Sequence, residues 1–189
     1  MPQKSGATRA IVVALETEHE RGVDYWSTFS TSEFFRTMGR HWSAAEHVRH
    51  LTRSMAPLLP ALRLPKLGLR MAFGMPDRPS RAEGQISDAY RAALAAGGQA
   101  GRFAPPPDTH APDQARRDKI MDEHSETLRG LTQAMERWTE AQLDGYRLPH
   151  PLLGKLTVRE MMLFTLIHNR HHVEVAKRRW AEAGLVHAG

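Results

Sequence analysis

His168 and His172 lie four residues apart, which on a helix is about one turn and puts both imidazoles on the same face. That is the spacing of a pair of ligands to a divalent metal ion. Met161, Phe164 and Val175 define an apolar stripe, with His168 near its middle and His172 roughly 40° away, so both should face inward. His171 falls towards the edge of the stripe, which makes His168 with His171 the poorer pair, and Asn169 and Arg170 turn away from its centre. Two imidazoles do not complete a stable site, so a third ligand has to come from another helix. His47 and His50 are the candidates. The helical wheel sets His47 closer to the Val48, Leu51 and Met55 stripe than His50, and at this level both stay open. Three imidazoles on a divalent ion would leave a coordination position free, as in catalytic rather than structural sites. Water there can be acidified to a pKa of about 7 on zinc, giving a hydrolytic nucleophile, or a thiol can be taken up as thiolate.

Other chemistry-bearing residues have simpler readings. Glu46 stands one turn before His50, but Ser43-Ala-Ala-Glu46 has the form of a capping box, and capping accounts for it. His124, between Ile120 and Leu128, is read as a buried histidine with a partner. Arg63, Lys66, Arg70, Arg78 and Arg81 form a basic run that could meet an anion but reads as a solvated loop. Trp26, Trp42, Trp138 and Trp180 sit where packing suffices.

The elements that must position these groups are helical. Residues 8–28 form a first helix with Ile11, Leu15, Tyr25 and Trp26 as apolar points, its stripe weakened by Glu18 and Gly22. The Ser43 box opens a second helix, bounded by Pro57 and Pro60. Asp113 caps a third, in which Ile120, Leu128, Leu131, Met135 and Trp138 recur at helical intervals and which should stop near Gly145. Thr157-Val-Arg-Glu160, a second capping-box pattern, opens a fourth that runs to about Ala183, with Gly184 as terminator. Nine of the twelve prolines and six of the fourteen glycines fall between Pro57 and Asp113, so that stretch cannot be one regular element. The expected fold is all-α, a four-helix bundle with a long Pro/Gly-rich crossover insert at about 57–113 between helices 2 and 3. A short helix over 87–96 decorates the crossover, and no period-2 strand is expected.

At 189 residues with 41% hydrophobic content, the chain fits one domain with its own core over 1–189. No apolar run is long enough for a membrane span and the N-terminus lacks the apolar stretch of a signal peptide, so a cytoplasmic location without membrane association is expected. The absence of cysteine excludes thiolate metal sites and cysteine nucleophiles, leaving nitrogen and oxygen ligands, of which the 11 histidines are the obvious suppliers. A net charge of +5 speaks to solubility and encounter rates, and nucleic acid is not the expected partner.

Trp42-Ser-Ala-Ala-Glu-His-Val-Arg-His50-Leu51 resembles the W-S-x-x-E-x-x-x-H-L segment of the DinB/YfiT-like superfamily. His150-Pro-Leu-Leu-Gly154-Lys-Leu-Thr157 and Phe164-Thr-Leu-Ile-His168-Asn-Arg-His-His172 are similar to its HP-x-x-G-x-L-T stretch and its terminal H-x-x-x-H helix. The matched segments span about 35 residues, in the same order and separated by a long insert. The resemblance implies a nickel or zinc ion held by His50, His168 and His172, with His47 standing where relatives have an apolar residue. It also implies a hydrolase or a low-molecular-weight-thiol S-transferase, a small-molecule substrate and a homodimer. The alternative function is a non-catalytic helical protein, small-molecule-binding or stress-associated, with a structural metal or none. A third reading, a nucleic-acid-associated protein using residues 63–81, ranks behind both.

Overall fold

A computed structural model describes residues 6–184. In chain order the elements are α1 (Gly6–Ser27), α2 (Thr31–Phe34), α3 (Ala44–Met55), α4 (Leu58–Arg63), α5 (Lys66–Phe73), α6 (Glu83–Ala95) and a 3-10 turn at Gly101–Phe103. They continue with α7 (Gln114–Met135), α8 (Glu140–Gly145), the strands β1 (Arg147–His150) and β2 (Gly154–Thr157), and α9 (Val158–Glu182). Helices α1, α3, α7 and α9 form the bundle, α3 packing on α7 and α1 on both α7 and α9. The chain between α3 and α7 is the crossover; it folds into three short helices and the 3-10 turn, with α4 laid on α7 and α6 on α9.

Local chemistry sets the helix ends. Ser43 Oγ accepts from the Glu46 amide and the Glu46 carboxylate accepts from the Ser43 amide at 2.8 Å, closing the capping box before α3. Thr157 and Glu160 do the same for α9, the Asp113 carboxylate caps α7, and α9 stops before Gly184 at φ +68°. Glu18 does not weaken α1, because its buried carboxylate accepts from Arg170 of α9 at 3.2 Å.

Two sequence expectations are corrected. The third helix ends at Met135 rather than near Gly145, and Thr139 starts the separate α8 by accepting from the Gln142 amide. Trp138 keeps the apolar spacing across the break, so periodicity does not register it. A β-hairpin also stands where none was expected: Arg147 pairs with Thr157 and His150 with Gly154. The positive φ of Gly154, +73°, fits its turn, and Leu148 and Leu156, partners in the ladder, are both buried. Strands of four residues containing Pro149 show no readable alternation.

Arg78 and Arg81 are not free cations on a loop. Both grip the fully buried Glu160, Arg78 Nη2 at 3.0 Å and Arg81 Nε at 2.9 Å, which pins the crossover to the start of α9. Lys66 instead lies over the Trp138 ring.

The core falls into two apolar clusters. One gathers Leu131, Met135, Leu143, Leu156 and Met162; the other gathers Trp26, Phe34, Val48, Val173 and Trp180. Along α9 the first cluster reaches Ile167 and the second begins at Val173. His168, Asn169 and His172, all buried, occupy the seam between them.

Candidate metal centre

Residues of α3 and α9 meet at that seam. The His50 Nε2 lies 3.1 Å from His168 Nε2, and His172 Nε2 lies 3.0 Å from the same atom. The three side chains are buried and their candidate ligand atoms fall within 4.8 Å of one another. Imidazole nitrogens bind divalent ions at about 2.0–2.1 Å, so two ligands at tetrahedral or octahedral angles sit about 2.8–3.4 Å apart. The observed separations lie in that window, and an all-imidazole donor set suits a first-row transition-metal or zinc ion. The residues present therefore fit a divalent ion.

The rings are held by contacts outside the triad. His50 Nδ1 lies 3.0 Å from the Phe103 carbonyl, which can only accept, so its proton is on Nδ1 and Nε2 carries the free lone pair. His172 Nδ1 lies 2.8 Å from His47 Nδ1, and a proton on His172 Nδ1 frees its Nε2 in the same way. Phe164 stacks on His168, ring centres 5.1 Å apart, while Trp42 stacks on His172 and Trp26 on His47. Burial holds His168 and His172 well below the ordinary histidine pKa, neighbouring histidines adding to the effect. Burial also lowers His50 and takes His47 to about 3. All four rings are thus neutral at pH 7, the state a metal ligand requires.

His47 and His50 differ in direction. Both are buried, but His50 presents Nε2 to His168, whereas His47 meets the nitrogen of His172 that faces away from the cluster. Residues 44–48 of α3 are buried without a break, so the Val48, Leu51 and Met55 stripe is a poor guide to which way a neighbour points. Residues 14–176 match the DinB superfamily. The chain belongs to that superfamily. Curated proteins and solved structures yield no match.

On this DinB bundle the triad opens onto a cavity of about 370 Å³. Its walls come from α3, α9, the hairpin and above all the crossover, which supplies Leu58, Ala61, Phe73, Tyr90, Leu94 and Phe103. Sequence reasoning gave the crossover no part in walling the metal site, since nothing in its composition tells which of its apolar residues turn towards α9. His171 is half-buried and lines the cavity beside Tyr90, ring centres 5.3 Å apart, outside the three-nitrogen cluster. Glu46 is engaged in its capping box. His124 is a buried histidine with Thr52 Oγ1 3.2 Å from its Nδ1, away from the cavity. Among the described residues no helix is long and apolar enough to cross a membrane.

Proposed function

We propose that the protein is a metal-dependent enzyme acting on a small molecule, with His50, His168 and His172 as ligands to one nickel or zinc ion. The carrying observation is the convergence of three Nε2 atoms, 3.0–3.1 Å from neighbour to neighbour, in the wall of a cavity. A divalent ion held there would supply Lewis-acid activation of water or of a low-molecular-weight thiol. The other tasks fall to the chain. Phe103 and His47 hold two rings in the tautomer that offers Nε2, and the apolar walls keep bulk water from the reacting atoms.

Thiol transfer and hydrolysis are the two reactions such a site supports. In the first, a carbon–sulfur bond forms as the leaving group departs with its electron pair and the thiol proton passes to solvent. Zinc- and nickel-loaded protein should be assayed with an activated aryl halide plus small thiols, and with a chromogenic ester. Metal-dependent turnover of either, lost in His168→Ala, is the expected result. No turnover above the His168→Ala background in either assay would favour the non-catalytic reading, for which the apolar cavity would be a binding pocket.

A further inference from the structure

His150, at the end of β1, has a role beyond the hairpin. Its Nδ1 accepts from two backbone amides of the turn, Leu152 N–H at 3.2 Å and Leu153 N–H at 3.0 Å. An amide can only donate, so His150 Nδ1 holds a lone pair and the ring's proton is on Nε2. Among the described residues Nε2–H has no hydrogen-bond partner, and the ring lines the cavity, packed edge-on against Phe164 at 4.1 Å between centres. Phe164 in turn stacks on His168, so this donor borders the same chamber as the triad.

The rest of the lining narrows what such a donor meets. No aspartate or glutamate lines the cavity, so nothing there would hold a cationic group, whereas Arg102 and Gln99, which also line it, could meet a further oxygen, charged or neutral. Ser54 and Thr165 both line it, but their hydroxyls donate to the carbonyls of His50 and Met161 at 2.9 Å, leaving them acceptors only. Most of the remaining wall is hydrocarbon or aromatic, and about 370 Å³ lies in the range of small-molecule sites, about 300–1,000 Å³. A neutral Nε2–H with its tautomer fixed by the backbone is a preorganised donor to an acceptor oxygen.

We propose that His150 is a specificity-determining residue whose Nε2–H binds a carbonyl-type oxygen of the substrate, and that the substrate is otherwise a largely apolar small molecule without a cationic group. The proposal rests on the reading above that the cavity takes the substrate. It is independent of which metal the triad holds.

The test compares butyrophenone with butylbenzene, two probes differing by one carbonyl, with Kd from NMR titration of the protein as isolated and after chelator treatment. One hydrogen bond predicts tighter binding of the ketone by about three- to tenfold. His150→Asn places an amide oxygen where Nδ1 stood, retaining the turn contacts, and should keep the thermal midpoint while bringing the ratio to about one. Long-range 1H–15N spectra of the wild type should show His150 as the Nε2–H tautomer, a readout that needs no variant. Failure of both probes to bind, equal affinities in the wild type, or the Nδ1–H tautomer would each overturn the proposal. A ketone preference that survives in His150→Asn but disappears on chelation would place the carbonyl on the metal, refuting the role of His150 while leaving the metal reading intact. A His150-dependent preference in protein that binds no metal would do the reverse.

Discussion

His47 should orient a ligand rather than be one, and the two roles differ in measurable size. Its Nδ1 meets His172 Nδ1 at 2.8 Å in a fully enclosed setting, under the Trp26 ring. Replacing it by leucine removes the acceptor while filling most of the space, so His172 loses only the contact that holds its tautomer and angle. Loss of such a partner weakens metal binding about 10–100-fold, equivalent to about 1.4–2.7 kcal/mol. Loss of a true ligand abolishes stoichiometric binding. Competition titrations against a chelator of known affinity would rank the wild type, His47→Leu, His47→Asn and His50→Ala. The Asn side chain can accept where Nδ1 did and should recover most of the affinity. If His47→Leu empties the site while His50→Ala still holds one ion per chain, the assignment on α3 is wrong. If His47→Leu binds as tightly as the wild type, the hydrogen bond has no orienting role.

Glu160→Ala should destabilise the fold by about 3 kcal/mol near pH 7 in urea unfolding. Burial pushes this carboxyl up, but hydrogen bonds from Arg78, Arg81 and the Arg81 and Thr157 amides outweigh it and hold it at about 2 rather than 4.5, about 1.4 kcal/mol per unit. Because the folded-state value is depressed, that contribution is complete above about pH 4.5 and fades towards pH 2; an equal cost at pH 7 and pH 3 would contradict it. Burial, aided by His19, lowers His124 to about 3, so the unfolded chain binds the extra proton between pH 6.5 and 3. Stability should therefore fall as pH falls through that window, and His124→Leu should flatten the slope by up to about 1.4 kcal/mol per pH unit, as read from urea midpoints. Ile86→Ala, at a fully buried position in α6, should cost about 2–5 kcal/mol. A cost below about 1 kcal/mol would mean that the crossover is not part of the core.

The helix starts were legible because capping is a local code. Ser43 with Glu46, Thr157 with Glu160, and Asp113 all act where their side chains predict. The pair His168 and His172 was legible for the same reason, four residues making one turn. What failed required tertiary knowledge. The helical wheel left His47 and His50 open, because it does not give the direction of two rings on a helix buried on nearly every side. The orienting roles of Phe103 and His47 need a carbonyl and a ring brought from elsewhere in the chain. The hairpin hid behind a proline and two four-residue strands, and α8 behind a tryptophan that satisfies the same spacing whether or not the helix breaks. Family resemblance supplied His50 where the wheel favoured His47.

Elemental analysis of untagged protein, purified without chelators, reads the occupancy of the triad itself, with His168→Ala as control because His168 Nε2 neighbours both other Nε2 atoms. Close to one nickel or zinc ion per chain is expected in the wild type, and none in the variant. Protein that takes up no divalent metal even after reconstitution, or a variant that retains one ion per chain, would contradict it.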